Sequence, residues 1–171
     1  MNKTRFLAFF WIFLFFLAQN AAHLVFPGVS VPLVLAAVVF YALLEGVSFG
    51  FLAGCFAGFF LDLLGIGRIG QEMAVFGCLG VFSGLVASKI FRESLFTQIV
   101  LPAFGSYFVT FSNLAILRLA SGEGSVGWGI FWDALVWPQL LLTAALAPFI
   151  FRFLKKVSII RGERSSIWRV G

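Results

Sequence analysis

Apolar residues fill this chain in long runs, and glycines, prolines and charges mark where the runs stop. Phe6 to Ala22 is apolar as far as Gln19. Its basic start suits a signal peptide, but Gln19 and Asn20 spoil a small-x-small cleavage site, so the run reads as a retained first helix. Pro27, Gly28 and Pro32 give the first turn. The next run, Pro32 to Leu44, falls short of the roughly 20 residues that a crossing needs, so this helix is either tilted, extended or shielded by others. Glu45 and Gly46 must form a tight turn, because one helix from Pro32 to Leu64 would be about 50 Å long. Gly65 to Gly70 is a glycine-rich connection; without a GK[ST] ending or a preceding strand it is no phosphate cradle. The pattern therefore predicts an all-α polytopic membrane protein with six transmembrane helices, at about 6–22, 32–44, 46–64, 71–90, 95–119 and 129–151. One integral membrane domain covers 1–171, and residues 152–171 form a basic cytoplasmic tail. Pro102 and Pro138 are placed to bend the last two helices.

Within the third helix the spacing is regular. Gly46, Gly50, Gly54 and Gly58 recur every fourth residue, and Asp62 takes the next step. Residues four apart lie one above another on a helix, so this is a ridge without side chains that ends in a carboxylate. Small residues at this interval let helix backbones approach closely in a bilayer. The fourth helix carries Gly77, Gly80 and Gly84, a second small-residue face and the natural mate for the first. The ridge either packs within the chain or leaves a groove for a partner's helix.

Composition agrees with the pattern: of 171 residues, 61% are hydrophobic and 11% charged, against about a quarter charged in soluble domains. The net charge of +5 does not indicate nucleic acid, since basic residues flank the apolar runs instead of forming a patch. With six spans and a cytoplasmic N-terminus, ten basic residues lie inside and two, Arg68 and Arg118, lie outside. The best five-span arrangement divides them eight to four, so six spans with both ends cytoplasmic fit the positive-inside rule better. The tail, with Arg152, Lys155, Lys156, Arg161, Arg164 and Arg169, is placed to meet anionic lipid. Trp128 and Trp132 suit an interfacial aromatic belt.

Cys55 and Cys78 lie in apolar spans and are expected as free thiols; His23 stands alone. No metal or cofactor is predicted. Ionisable residues in a span are functional candidates because burying them is costly. Here they are Asp62, Glu72 and Asp133. Arg68 is within reach of Asp62 across the loop, which makes a structural pair the simplest expectation, and Asp133 suits the headgroup layer. No histidine or activated serine partners these carboxylates, so no catalytic residues are assigned and no enzyme is expected. Ser106, Thr110, Ser112 and Asn113 give the fifth helix a polar stripe suited to bonds back to the helix or across to a neighbour.

The run from Gly46 through Gly50-Phe51, Gly54 and Gly58 to Asp62-Leu63-Leu64, followed by Gly70, Gly77, Gly80 and Gly84, resembles the rod shape-determining protein MreD family. That resemblance implies a non-enzymatic scaffold of the bacterial inner membrane, acting in cell elongation and peptidoglycan synthesis with MreC, alongside MreB, RodA and a class B penicillin-binding protein. It also implies a fold similar to the substrate-binding subunits of energy-coupling-factor vitamin transporters. Such a subunit is the alternative function, and would need an outward pocket in which groups such as Asn20, His23, Glu72, Asn113, Glu123, Asp133 and Gln139 converge.

Overall fold

A computed structural model describes residues 3–25, 32–64, 70–87, 95–121 and 137–160. Among the described residues the protein is all-helical: α1 (Lys3–Val25), α2 (Leu33–Glu45), α3 (Val47–Leu64), α4 (Gln71–Ala87), α5 (Leu95–Ser121) and α6 (Trp137–Ile160). Three of these are long and apolar enough to cross a membrane, over Arg5–Ala22, Val47–Leu64 and Thr97–Ile116.

The short helix is the centre of the molecule. α2 touches each of the other five helices, and Val34 to Val39 are at most 1% exposed. Its sequence is apolar around the whole circumference, which is what an enclosed helix requires. At 13 residues it is about 20 Å long, and its neighbours wrap it on every side. Of the three readings of the short second helix, tilted, extended or shielded, burial favours the last: α2 is core.

Around α2 the helices pack antiparallel in sequence order. Arg5 at the start of α1 meets Glu45 at the end of α2, with Nε–Oε2 at 3.3 Å. Gly46 turns the chain into α3 with φ at +88°, and its N–H bonds to the Ala42 carbonyl. α1 meets α3 through phenylalanines: Phe9 against Phe49 and Phe56, Phe13 and Phe16 against Phe60, with ring centroids 4.9–5.5 Å apart. On another face of α1, Phe6, Phe10, Leu14 and Leu17 are exposed. Trp11 and Phe153 close α1 onto α6.

The last helix differs most from the sequence reading. The expected start, Gly129, lies outside the described residues, and α6 is described from Trp137. Pro138 is its second residue and Pro148 the interior proline. A proline in a first turn removes an N–H that has no intrahelical acceptor in any case. At the other end the helix does not stop at Phe151 but runs to Ile160. Phe151 and Leu154 are buried while Arg152, Lys155 and Lys156 are exposed, so the segment read as tail begins as a further amphipathic turn of α6.

Candidate functional site: the glycine joint and its carboxylate cap

In lipid, helices gain little from burying apolar side chains against each other, so close van der Waals packing holds them. Among the described helices, α3 and α4 make the most extensive contact, and glycines line it. A methyl group placed on Gly50 would come within 3.0 Å of the Gly80 carbonyl, and one on Gly80 within 3.0 Å of the Gly50 carbonyl. The same holds for Gly54 against Phe76 and for Gly58 against Glu72 and Met73. On Gly84 the methyl would lie 2.5 Å from the Val47 Cα. These obstacles are backbone, which cannot turn aside. Gly77 is looser, since its methyl would meet side chains, the Cys55 thiol at 3.0 Å and the Phe51 ring at 3.3 Å.

Gly50, Gly54 and Gly58 are therefore occupied inside the chain by α4. Gly46 has another role. A methyl there would meet nothing within 4 Å, but the residue turns the backbone with a left-handed φ, where glycine carries no steric penalty. The four-residue series thus holds one turn glycine followed by three contact glycines.

Asp62 completes the joint. Its Oδ2 accepts hydrogen bonds from the N–H groups of Gly70 and Met73, and its Oδ1 from Glu72, each at 3.0 Å. The first N–H groups of a helix have no acceptor within it. Here the acceptor comes from the preceding helix, so Asp62 is an N-cap supplied across a tertiary contact. The glycine spacing explains how the carboxylate arrives there. Gly58 lies against Glu72 and Met73, and one turn further along the same face Asp62 reaches their amides. Its negative charge also faces the positive end of the α4 dipole. Asp62 is 8% exposed. Arg68, its expected partner, lies outside the described residues, as do Glu123 and Asp133; among those described, three backbone donors satisfy the carboxylate.

Beside the cap is a side-chain cluster. Asn113 of α5 donates through Nδ2 to Glu72 Oε1 at 2.7 Å, and Gln71 Nε2 donates to Asn113 Oδ1. Glu72 Oε2 is buried and has no hydrogen-bond partner among the described residues. Further along α5, the Thr110 hydroxyl lies 2.9 Å from the Ser106 carbonyl and 3.1 Å from Gln139 Oε1. Thr143 Oγ1 is 2.6 Å from the Gln139 carbonyl and 3.4 Å from Ser106 Oγ. The polar stripe of α5 thus ties α5 to α6 in mid-helix and to α4 at one end. Asn20 bonds back to the Phe16 carbonyl.

Two of these roles escaped the sequence reading. Gln19 accepts from the Val34 N–H at 3.1 Å, a second helix start capped from a neighbouring helix, and Gln71 orients Asn113. The sequence hardly singles out Gln19, since it stands beside a second amide, Asn20, at the end of an apolar run. Among the described residues no group of His, Cys, Asp and Glu is placed to hold a metal ion. The chain matches no protein-family model, no curated protein and no solved structure.

Proposed function

We propose that this chain is a multi-pass scaffold of the bacterial inner membrane in the cell-elongation machinery, a protein of the MreD type that acts with MreC in maintaining cell shape. One observation carries the reading. Of the residues behind the resemblance, Gly50, Gly54, Gly58, Asp62, Gly77, Gly80 and Gly84 come together as one close-packed joint with a carboxylate cap, while Gly46 serves as a turn. A motif used in this way maintains a shape, which suits a protein that assembles others. In the proposed topology all six helices cross, both ends are cytoplasmic, and the α4 N-terminus lies at the outer face. The antiparallel pairing of α1 with α2 through Arg5 and Glu45 is consistent with alternating crossings.

The test is genetic and biochemical. Depleting the protein in its host should turn rods into spheres. Wild type should restore the rods and bring down a single-pass MreC-type protein, and Gly54→Leu should do neither. Rod growth without the protein would refute the reading.

The alternative is a substrate-binding subunit of an energy-coupling-factor transporter. It is favoured by the meeting of Gln71, Glu72 and Asn113 at one end of the bundle. A vitamin retained through purification would decide for it.

A further inference from the structure

α1 and α6 each pack on α2, and they meet one another through aromatic rings. Trp11 and Phe15 lie against Phe153, with centroids 5.5 and 6.4 Å apart. The two helices run in opposite directions. α1 begins on the side where Arg5 meets Glu45. α6 ends on that side, since Gln139 near its start meets Thr110 while Phe151 lies against Phe40. From the ring contact toward the middle of the bundle, side-chain bulk falls away. Ala18 and Ala145 are both exposed, and helical spacing puts them on the faces that carry Trp11 and Phe153. Leu14 and Phe149, 42% and 74% exposed, stand beside them. A shallow apolar furrow therefore runs between α1 and α6, closed by rings at the inner end.

Two cations stand beside those rings. Arg152 and Lys156 are exposed and four residues apart, so they stack on the face of α6 that also carries Phe149 and Phe153. Phe151 and Leu154 turn the other way and are buried. Among the described residues neither cation has an ion pair or hydrogen bond, and the acid at this end, Glu45, is taken by Arg5. Glu93 and Glu163 lie outside the described residues.

We propose that this face of α6, with the furrow against α1, binds one anionic phospholipid. Arg152 and Lys156 hold its phosphodiester, and an acyl chain runs along Phe153 and Phe149 into the furrow at Ala145 and Ala18. The guanidinium offers a planar pair of donors and the ammonium a point charge, both suited to a phosphate. Their alkyl stems follow the apolar surface while the charges reach the headgroup layer. Basic residues at the cytoplasmic ends of packed helices hold anionic headgroups in this way. A basic tail attracts an anionic surface as diffuse charge, whereas here the helix fixes the spacing of two cations beside a furrow for a chain. The site requires a bilayer around the helices but no scaffold role, so it and the elongation reading stand or fall separately.

The test is native mass spectrometry of the full-length chain in detergent, titrated with phosphatidylglycerol and, separately, with phosphatidylethanolamine. One phosphatidylglycerol should bind at about tenfold lower concentration than phosphatidylethanolamine, the scale expected of two basic residues. Arg152→Gln combined with Lys156→Gln should melt like wild type and lose that preference. Arg161→Gln combined with Arg164→Gln removes the same charge from the tail and should keep it. Ala145→Trp fills the furrow with both cations in place and should weaken binding severalfold. Glycerophosphoglycerol, the headgroup without chains, should not displace the lipid. Equal binding of the two lipids by wild type overturns the proposal. So does a helix variant that keeps the preference, or a tail variant that loses it equally, because the attraction is then diffuse. Displacement by glycerophosphoglycerol, or an Ala145→Trp protein that binds like wild type, removes the acyl chain from the site and overturns it too. If Ala145→Trp does not accumulate, the charge variants and the competition decide.

Discussion

Replacing Asp62 tests the central claim, that a carboxylate from one helix holds the start of the next. An N-cap exchanged for alanine costs about 0.5–2 kcal/mol in water. Here two oxygens serve three amides, and each bond to an ionised acceptor is worth about 1.5–3 kcal/mol. The site is nearly closed to solvent, so freed amides find no ready replacement. Between one bond and three fully additive ones, Asp62→Ala should cost about 3 kcal/mol. For a chain of this size that lowers Tm by about 6–12 °C. Asp62→Asn separates the cap from an ion pair. Its single oxygen, placed where Oδ2 now sits, keeps the bonds from Gly70 and Met73 but turns an NH2 group toward the Glu72 N–H. The loss should be about half as large, about 3–6 °C. Arg68→Ala should have little effect. The assay is thermal unfolding of the detergent-solubilised protein, followed by helix content. A pair between Asp62 and Arg68 would make Asn as damaging as Ala, and Arg68→Ala would match both. That pattern, or an Asp62→Ala protein melting within about 2 °C of wild type, would refute the cap.

The same melting assay ranks the glycines. Gly54→Ala puts a methyl within 3.0 Å of the Phe76 backbone; overpacking by one carbon costs about 1–3 kcal/mol, and with backbone as the obstacle the upper end or more is expected. Gly46→Ala meets no atom within 4 Å and bears only the strain of a positive-φ, extended backbone, about 1–3 kcal/mol, so a Gly46→Ala protein clearly less stable than Gly54→Ala would contradict the packing account. Arg5 is 48% exposed in its pair with Glu45, and exposed pairs contribute about 0–1 kcal/mol; a double-mutant cycle coupling energy well above that range would show the pair to be a structural clasp.

How far the sequence discloses this architecture depends on whether a feature belongs to one helix or to two. The starts of α2 and α3 fall within one residue of expectation because Pro32 and Gly46 are breakers that act locally. The α3–α4 contact is also visible in advance, since a glycine marks backbone contact by lacking a side chain and its four-residue period is a property of a single helix. Asp62 could be assigned to the end of that contact but not to its acceptor role. Its donors are amides, and amides are invisible in a sequence until the first turn of α4 is in place. Gln19 is obscured for the same reason: an amide near a helix end looks like any solvent-facing residue until Val34 stands opposite it. The far end of α6 shows the complementary failure. Counting charges treats Arg152, Lys155 and Lys156 as the start of a tail, while burial of Phe151 and Leu154 carries the helix through them. Charge sets which side of a membrane a segment prefers, but it does not end a helix; that takes a broken hydrogen-bond ladder, and the helix continues to Ile160.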